Sequence, residues 1–186
     1  MAAQVARRMF TTDEFHRMAQ AGILAEDDRV ELIDGEVVRM SPIGSRHASC
    51  VDRLNAFFTH RLGARAIVRV QSPILLNRRS EPQPDLALLK PRGDFYATRH
   101  PGPADVLLVV EVIDSSAEYD RALKLPLYAR ASIAEVWLID LVRNDIEVYR
   151  RPALRAYRDQ QTHARGEHLT AAAFPRTRFR VSELLG

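Results

Sequence analysis

The stretch 106–113, VLLVVEVI, and the segment that follows it, DSSAEYDRALKLPLYARA at 114–131, decide the fold of this chain. An unbroken apolar run bounded by polar residues reads as a strand covered on both faces, in the middle of a sheet. One residue does not fit. Alternate residues of a strand share a face, so Leu107, Val109, Glu111 and Ile113 point one way, and Val106, Leu108, Val110 and Val112 the other. Glu111 therefore projects among aliphatic side chains. An ionised carboxylate buried without a partner costs several kcal/mol or has its pKa driven upward. A basic side chain, a metal ion or water at the open end of the sheet must compensate it. Its place near the end of the strand favours the last two.

The residues after the strand supply a candidate partner. Ser115 to Glu118 has the form of a capping box and predicts a helix running to about residue 131, with a kink or irregularity at Pro126. Asp120, Lys124 and Tyr128 recur every four residues and so share a face of that helix. An exposed Asp–Lys pair of this kind contributes only about 0.2–0.5 kcal/mol. Lys124 stands out for another reason: the chain has 25 arginines and only two lysines, Lys90 and Lys124. A lysine is a compact charge on a flexible stem, suited to contact with water or phosphate. Because the helix issues directly from the strand carrying Glu111, Lys124 can return to that strand's end.

A second acid lies upstream. Pro84 and Asp85 open the strand DLALLK, and a proline at a strand start removes no needed ladder bond. Asp and Glu on neighbouring strands beside a lysine form a sensible site for a hard divalent cation such as Mg²⁺, which takes one or two carboxylates and keeps several waters. Glu31 shares a face with Ile33 in the predicted hairpin VELIDGEVVRM, which turns at Asp34-Gly35, and could project toward the same cleft. His47 opens the helix 46–62, whose apolar stripe is Ala48, Val51, Leu54, Phe58 and Leu62. It is a candidate for contact with phosphate or substrate. The remaining histidines, His16, His60, His100, His163 and His168, form no spacing that suggests a metal site.

The rest of the chain completes the outline. A capping box at Thr11–Glu14 predicts a helix to about 21. AIVRV (66–70) and ILL (74–76) look like strands, 91–105 an irregular loop, VWLIDL (136–141) and IEVYR (146–150) two strands joined at Asn144-Asp145, and VSELL (181–185) a short helix. Beyond 152 the chain is arginine-rich and reads as less regular. The order implies an α/β protein of the mixed, α+β kind, a single domain over 1–186 with helices on the faces of a central sheet. Its 46% apolar and 27% charged residues are those of a globular chain, and a net charge of +3 neither marks nor excludes a nucleic-acid binder. The lone Cys50 excludes an internal disulfide and a cysteine-rich zinc site, and fits a reducing cytoplasm. No apolar run has the roughly 18 residues a membrane span needs, and no apolar segment follows the N-terminal arginines as in a secretion signal.

Several blocks together resemble one family: ELIDGE (31–36), MSP (40–42), His47, PDLALL (84–89), EVIDSSAEYDRALKLPLYA (111–129) and VWLID (136–140). They are similar to the Uma-two family of restriction-endonuclease-type domains, placed in the PD-(D/E)XK nuclease superfamily, over about residues 10–185. The resemblance implies a restriction-endonuclease-like core with helices on both faces and an N-terminal helix–hairpin extension. It matches Asp85 and Glu111 to the metal-binding acids. The superfamily's lysine position, two residues after the acid, holds Ile113, so Lys124 stands as a relocated lysine. The expected activity is Mg²⁺-dependent, or Mn²⁺-dependent, hydrolysis of DNA by a homodimer in the cytoplasm. Asp85, Glu111, Lys124 and Glu31 would act at the reaction, and His47 and Asp120 at the substrate. The alternative is an inactive nucleic-acid or protein interaction module that keeps the fold. A further acid, Asp114, stands where the family usually has none.

Overall fold

The computed structural model describes residues 7–25, 27–114 and 120–186, apart from the side chain of Asp120. Helix α1 (Thr12–Gln20) is closed at its start by the predicted capping box: the Thr11 hydroxyl accepts from the Glu14 amide and the Glu14 carboxylate accepts from the Thr11 amide. Strands β1 (Val30–Ile33) and β2 (Glu36–Arg39) form the hairpin. Its turn has φ of 49° at Asp34 and 87° at Gly35, both left-handed. A side chain at Gly35 would also lie 2.8 Å from the Met9 Cβ, so the turn needs glycine twice over. Helix α2 (Ser45–Leu62) follows.

The central sheet has six strands in sequential order: β3 (Ile67–Val70), β4 (Leu86–Leu89), β5 (Val106–Ile113), β6 (Glu135–Asp140), β7 (Asp145–Ala153) and β8 (Ala156–Ala164). Only β5 and β6 run parallel; every other neighbouring pair is antiparallel. A parallel pair requires a crossover, and α3 (Leu125–Arg130) lies in it. A second small sheet pairs β9 (His168–Thr170) with β10 (Arg178–Arg180), before α4 (Val181–Leu185).

Two apolar layers flank the sheet. On one face α2 and α4 cover Leu86, Leu88, Leu108, Val110, Val112, Trp137 and Ile139, with Leu54 and Phe58 of α2 fully buried. On the other, α3 and the hairpin cover Ala87, Leu89, Val109, Ile113, Val136 and Leu138 through Leu127, Tyr128 and Ile33. Helices thus lie on both faces, as expected.

Three expectations change. Leu107 does not share a face with Val109: it packs with the α2 layer while Val106 joins the opposite one. The register explains this. Leu88 pairs with Leu108 but Leu89 pairs with Val106, so Leu107 is an extra residue in a β-bulge and the alternation slips there. From Leu108 to Ile113 the predicted alternation holds. Residues 74–76 are not a strand: Ile74 and Leu76 donate to the carbonyls of Pro82 and Ser80 in a folded-back loop. The chain beyond 152 is more regular than its composition suggests, because β8 pairs with β7 along its length. Its exposed, polar face carries no apolar alternation from which it could be read. The capping box at 115–118 lies outside the described residues. The irregularity at Pro126 is present as a π-helical turn over Asp120–Lys124, directly before α3. Pro126 has no amide to donate into the preceding turn, which accommodates the wider winding.

Phe58 meets Trp137 and Phe179 at ring-centroid distances of 6.2 and 5.8 Å and is fully buried. Phe58→Ala should therefore cost about 3–5 kcal/mol in urea unfolding, the usual cost of such a cavity. Exposed Arg155→Ala should change stability by no more than about 0.5 kcal/mol.

Candidate active site

The antiparallel register of β4 and β5 pairs Leu86 with Val110, so Asp85, one residue earlier, comes to the level of Glu111. Two bonds tie the acids to each other's strands. The Asp85 amide donates to Glu111 Oε2 at 3.1 Å, and the Val112 amide donates to Asp85 Oδ2 at 2.9 Å. Each carboxylate thus fixes the strand that bears the other.

Glu111 is buried, with 2% of its surface exposed. Its Oε1 accepts from the Tyr128 hydroxyl at 2.6 Å and lies 3.2 Å from Lys124 Nζ. The compensation the sequence demanded is therefore supplied by a lysine, a tyrosine and an amide. Lys124 is itself buried, and its Nζ also lies 4.0 Å from Glu31 Oε2. Glu31 is anchored by the Gln83 amide, which donates to the same Oε2 at 3.0 Å. β1 delivers Glu31, β5 Glu111, the turn before α3 Lys124, and the residue leading into β4 is Asp85.

His47, in the first turn of α2, places Nε2 2.9 Å from Asp85 Oδ2, while its Nδ1 is buried with no hydrogen-bond partner among the described residues. The hydrogen bond to Asp85 holds the imidazole pKa above its ordinary 6.5, against burial, helped by the charges of Asp85, Glu111 and Asp114. For Asp85, burial alone would raise the pKa, but the His47 bond and charge, the Val112 amide and the Lys124 charge outweigh it and hold it below 3.8. Gln71 donates to Asp85 Oδ1 at a longer 3.3 Å.

These side chains line one cleft of about 530 Å³, together with Arg29, Arg39, the 40–44 segment and Asp114. Asp114 is held by Arg46 at 3.3 Å. A family model described as "Uma2: Putative restriction endonuclease" matches residues 12–182. The chain belongs to the Uma2 family. Among solved structures it is similar to one described as "a putative nuclease belonging to DUF820 from Anabaena variabilis ATCC 29413", with a TM-score of 0.73 and 14% identity over 95% of this chain and 97% of that one. At that identity the likeness is one of fold. No curated protein matches the chain.

In this Uma2 chain the structure brings together Glu31, His47, Asp85, Glu111 and Lys124. Asp120 lies in the π-helical turn, and its expected contact with substrate falls on a side chain outside the described residues. Ile113, where the resemblance led one to look for a lysine, is fully buried in the apolar layer beneath α3. Sequence reasoning did not select Tyr128 or Gln71 for the site. Tyr128 had a signal, its four-residue spacing from Lys124; Gln71 had none, since its role follows from a loop that returns to Asp85.

His47, with its pKa raised above 6.5, contributes stability fully below pH 6.5 and loses it as the pH rises through the elevated value, while Asp85, held below 3.8, contributes fully above pH 3.8 and loses it as the pH falls through its lowered value. In metal-free protein, an NMR titration should find His47 above 6.5 in the wild type and lower in Asp85→Asn. An unchanged midpoint in that variant would show that Asp85 is not the cause.

Proposed function

We propose that this chain is a divalent-cation-dependent phosphodiesterase that cleaves DNA, with Asp85, Glu111 and Lys124 at its centre. The convergence of Asp85 and Glu111 on one cleft, with Lys124 Nζ 3.2 Å from Glu111, carries the reading. Family membership supports it.

The residues fit a hard cation. Both acids offer carboxylate oxygens on a solvent-open cleft, the donor type that Mg²⁺ and Mn²⁺ prefer. Asp85 Oδ2 already accepts two bonds, so Oδ1, with only the long Gln71 contact among the described residues, has capacity to spare. A bound cation would polarise a phosphoryl oxygen and acidify a water.

The chain's own groups do the remaining work. Lys124 stands as a counter-charge 3.2 Å from Glu111 in its buried setting and presents a cationic donor toward water or the phosphoryl group. Glu31 and Glu111 on either side hold that ammonium in place. Tyr128 fixes the orientation of the Glu111 carboxylate. His47 orients Asp85 and stands beside the path of the substrate. Arg29 and Arg39 on the cleft wall suit contact with flanking phosphates, which position DNA without reading its sequence. One cleft holds one such set of residues, so a double-strand cut calls for two copies or two successive nicks; a homodimer is part of this proposal.

One observation favours a second reading, a module that binds but does not cut. His47 and the Val112 amide occupy Asp85 Oδ2, and the Asp85 amide, Tyr128 and Lys124 engage both oxygens of Glu111, which leaves a cation chiefly Asp85 Oδ1. A cleavage assay separates the two. With Mg²⁺ or Mn²⁺ the wild type should nick plasmid DNA, and Glu111→Gln should reduce the rate on the order of 10²–10³-fold. Lys124→Met should reduce it comparably while leaving DNA retention on a gel unchanged. Equal cutting by wild type and Glu111→Gln would remove this cleft from the reaction. Binding without cutting at any divalent-ion concentration would favour the inactive module.

A further inference from the structure

A second constellation lies outside the cleft. His16, Glu81 and His100 each offer one ligating atom, and these atoms lie within 4.8 Å of one another. None of the three residues lines the cleft of Asp85 and Glu111. Spacing along the chain conceals the group, because its members stand 65 and 19 residues apart.

Each comes from a different, well-anchored element. The Thr12 amide donates to the Arg78 carbonyl at 2.9 Å and seats the start of α1 on the turn before Glu81; His16, one turn later, shares that face of the helix. The Glu81 amide donates to the Leu32 carbonyl at 2.7 Å, fixing Glu81 against β1. The Leu75 amide donates to the Pro101 carbonyl at 2.9 Å and holds the end of the 91–105 loop where His100 sits. The His16 and His100 rings tilt toward each other at a centroid distance of 6.2 Å.

Glu81 is 3% exposed, yet its only charge-capable partner among the described residues is His16, whose Nε2 lies 2.9 and 3.0 Å from its two oxygens. Two ligand atoms of a tetrahedral ion with bonds of about 2.0–2.2 Å stand roughly 3.3–3.6 Å apart, so the hydrogen-bonded pair need open by only a few tenths of an ångström to take an ion between them. Two imidazoles and one carboxylate are the donor set of borderline transition metals such as Zn²⁺, not of Mg²⁺.

The geometry points to a metal site formed by His16, Glu81 and His100, which takes Zn²⁺ or a similar divalent transition-metal ion with water completing the shell on the half-exposed side. The ion neutralises the buried Glu81 carboxylate and fastens α1 and the 91–105 loop to the segment leading into Asp85. It is a different site from the one proposed for catalysis, and it prefers a different class of ion.

Calorimetric titration of the whole, chelator-treated chain with Zn²⁺ tests it, alongside thermal melting. Wild type and the Asp85→Asn/Glu111→Gln variant should both bind one equivalent, and both should melt roughly 5–10 °C higher at hundredfold saturation. His100→Ala should lose at least tenfold in affinity while keeping the metal-free melting temperature, since His100 is only partly buried. His16→Ala should lose affinity likewise, but its metal-free melting temperature should fall, because the buried Glu81 carboxylate then lacks its partner. Absence of zinc binding, or binding unchanged in both histidine variants, would overturn the site. Loss of the zinc equivalent in the Asp85→Asn/Glu111→Gln variant would overturn it too, because the ion would then belong to the cleft.

Discussion

The fold turns on the burial of one carboxylate. Glu111 sits in the central strand of a sheet covered on both faces, where an uncompensated charge would be severely destabilising. Its partners come from two directions: Lys124 and Tyr128 from the crossover between β5 and β6, and the Asp85 amide from the residue that leads into β4. Satisfying Glu111 therefore fixes the strand register, the position of α3 and the geometry of the cleft at once. A buried pair of this kind is not evidence of added stability; replacing it with apolar residues can be neutral. Its retention at the mouth of a cleft is better explained by chemistry than by folding.

The same economy appears in how the cleft is placed. β4 and β5 contribute apolar residues to both layers but acids only at one end. The β1–β2 hairpin closes one side of that end and α2 the other, bringing Glu31 and His47. A separate buried network behaves differently. Arg121 bridges Asp140 and Glu147 at 2.9 and 2.6 Å, so those acids are neutralised internally. Arginine's planar fork suits such static pairing, and lysine's single mobile ammonium suits a site that exchanges partners. This gives physical content to the one buried lysine in an arginine-rich chain.

Most of the frame was legible. The eight-residue apolar run of β5, the DG turn of the hairpin, the stripe of α2 and the Thr11–Glu14 box are local signals, and each forms the element it predicts. The bulge at Leu107 was not legible, because nothing local distinguishes it from its neighbours; it exists because β4 and β5 fall out of step beyond Leu88. β8 was missed for a related reason. Its residues are polar on the exposed side, and its strand conformation is imposed by pairing with β7.

Sequence alone determined the types of chemistry present: a carboxylate in an apolar strand, a proline-led aspartate and a rare lysine, each implying a charge that needs a partner. It could not determine which partner. Whether Glu111 faced a metal, an arginine or Lys124 depended on the winding of the turn before α3 and the register of β4. Those are set by packing over the whole sheet, not by neighbours in the chain. The juxtaposition of His16, Glu81 and His100 is the purest case, since only the seating of α1 and the 91–105 loop on one edge brings them within reach of a common ion.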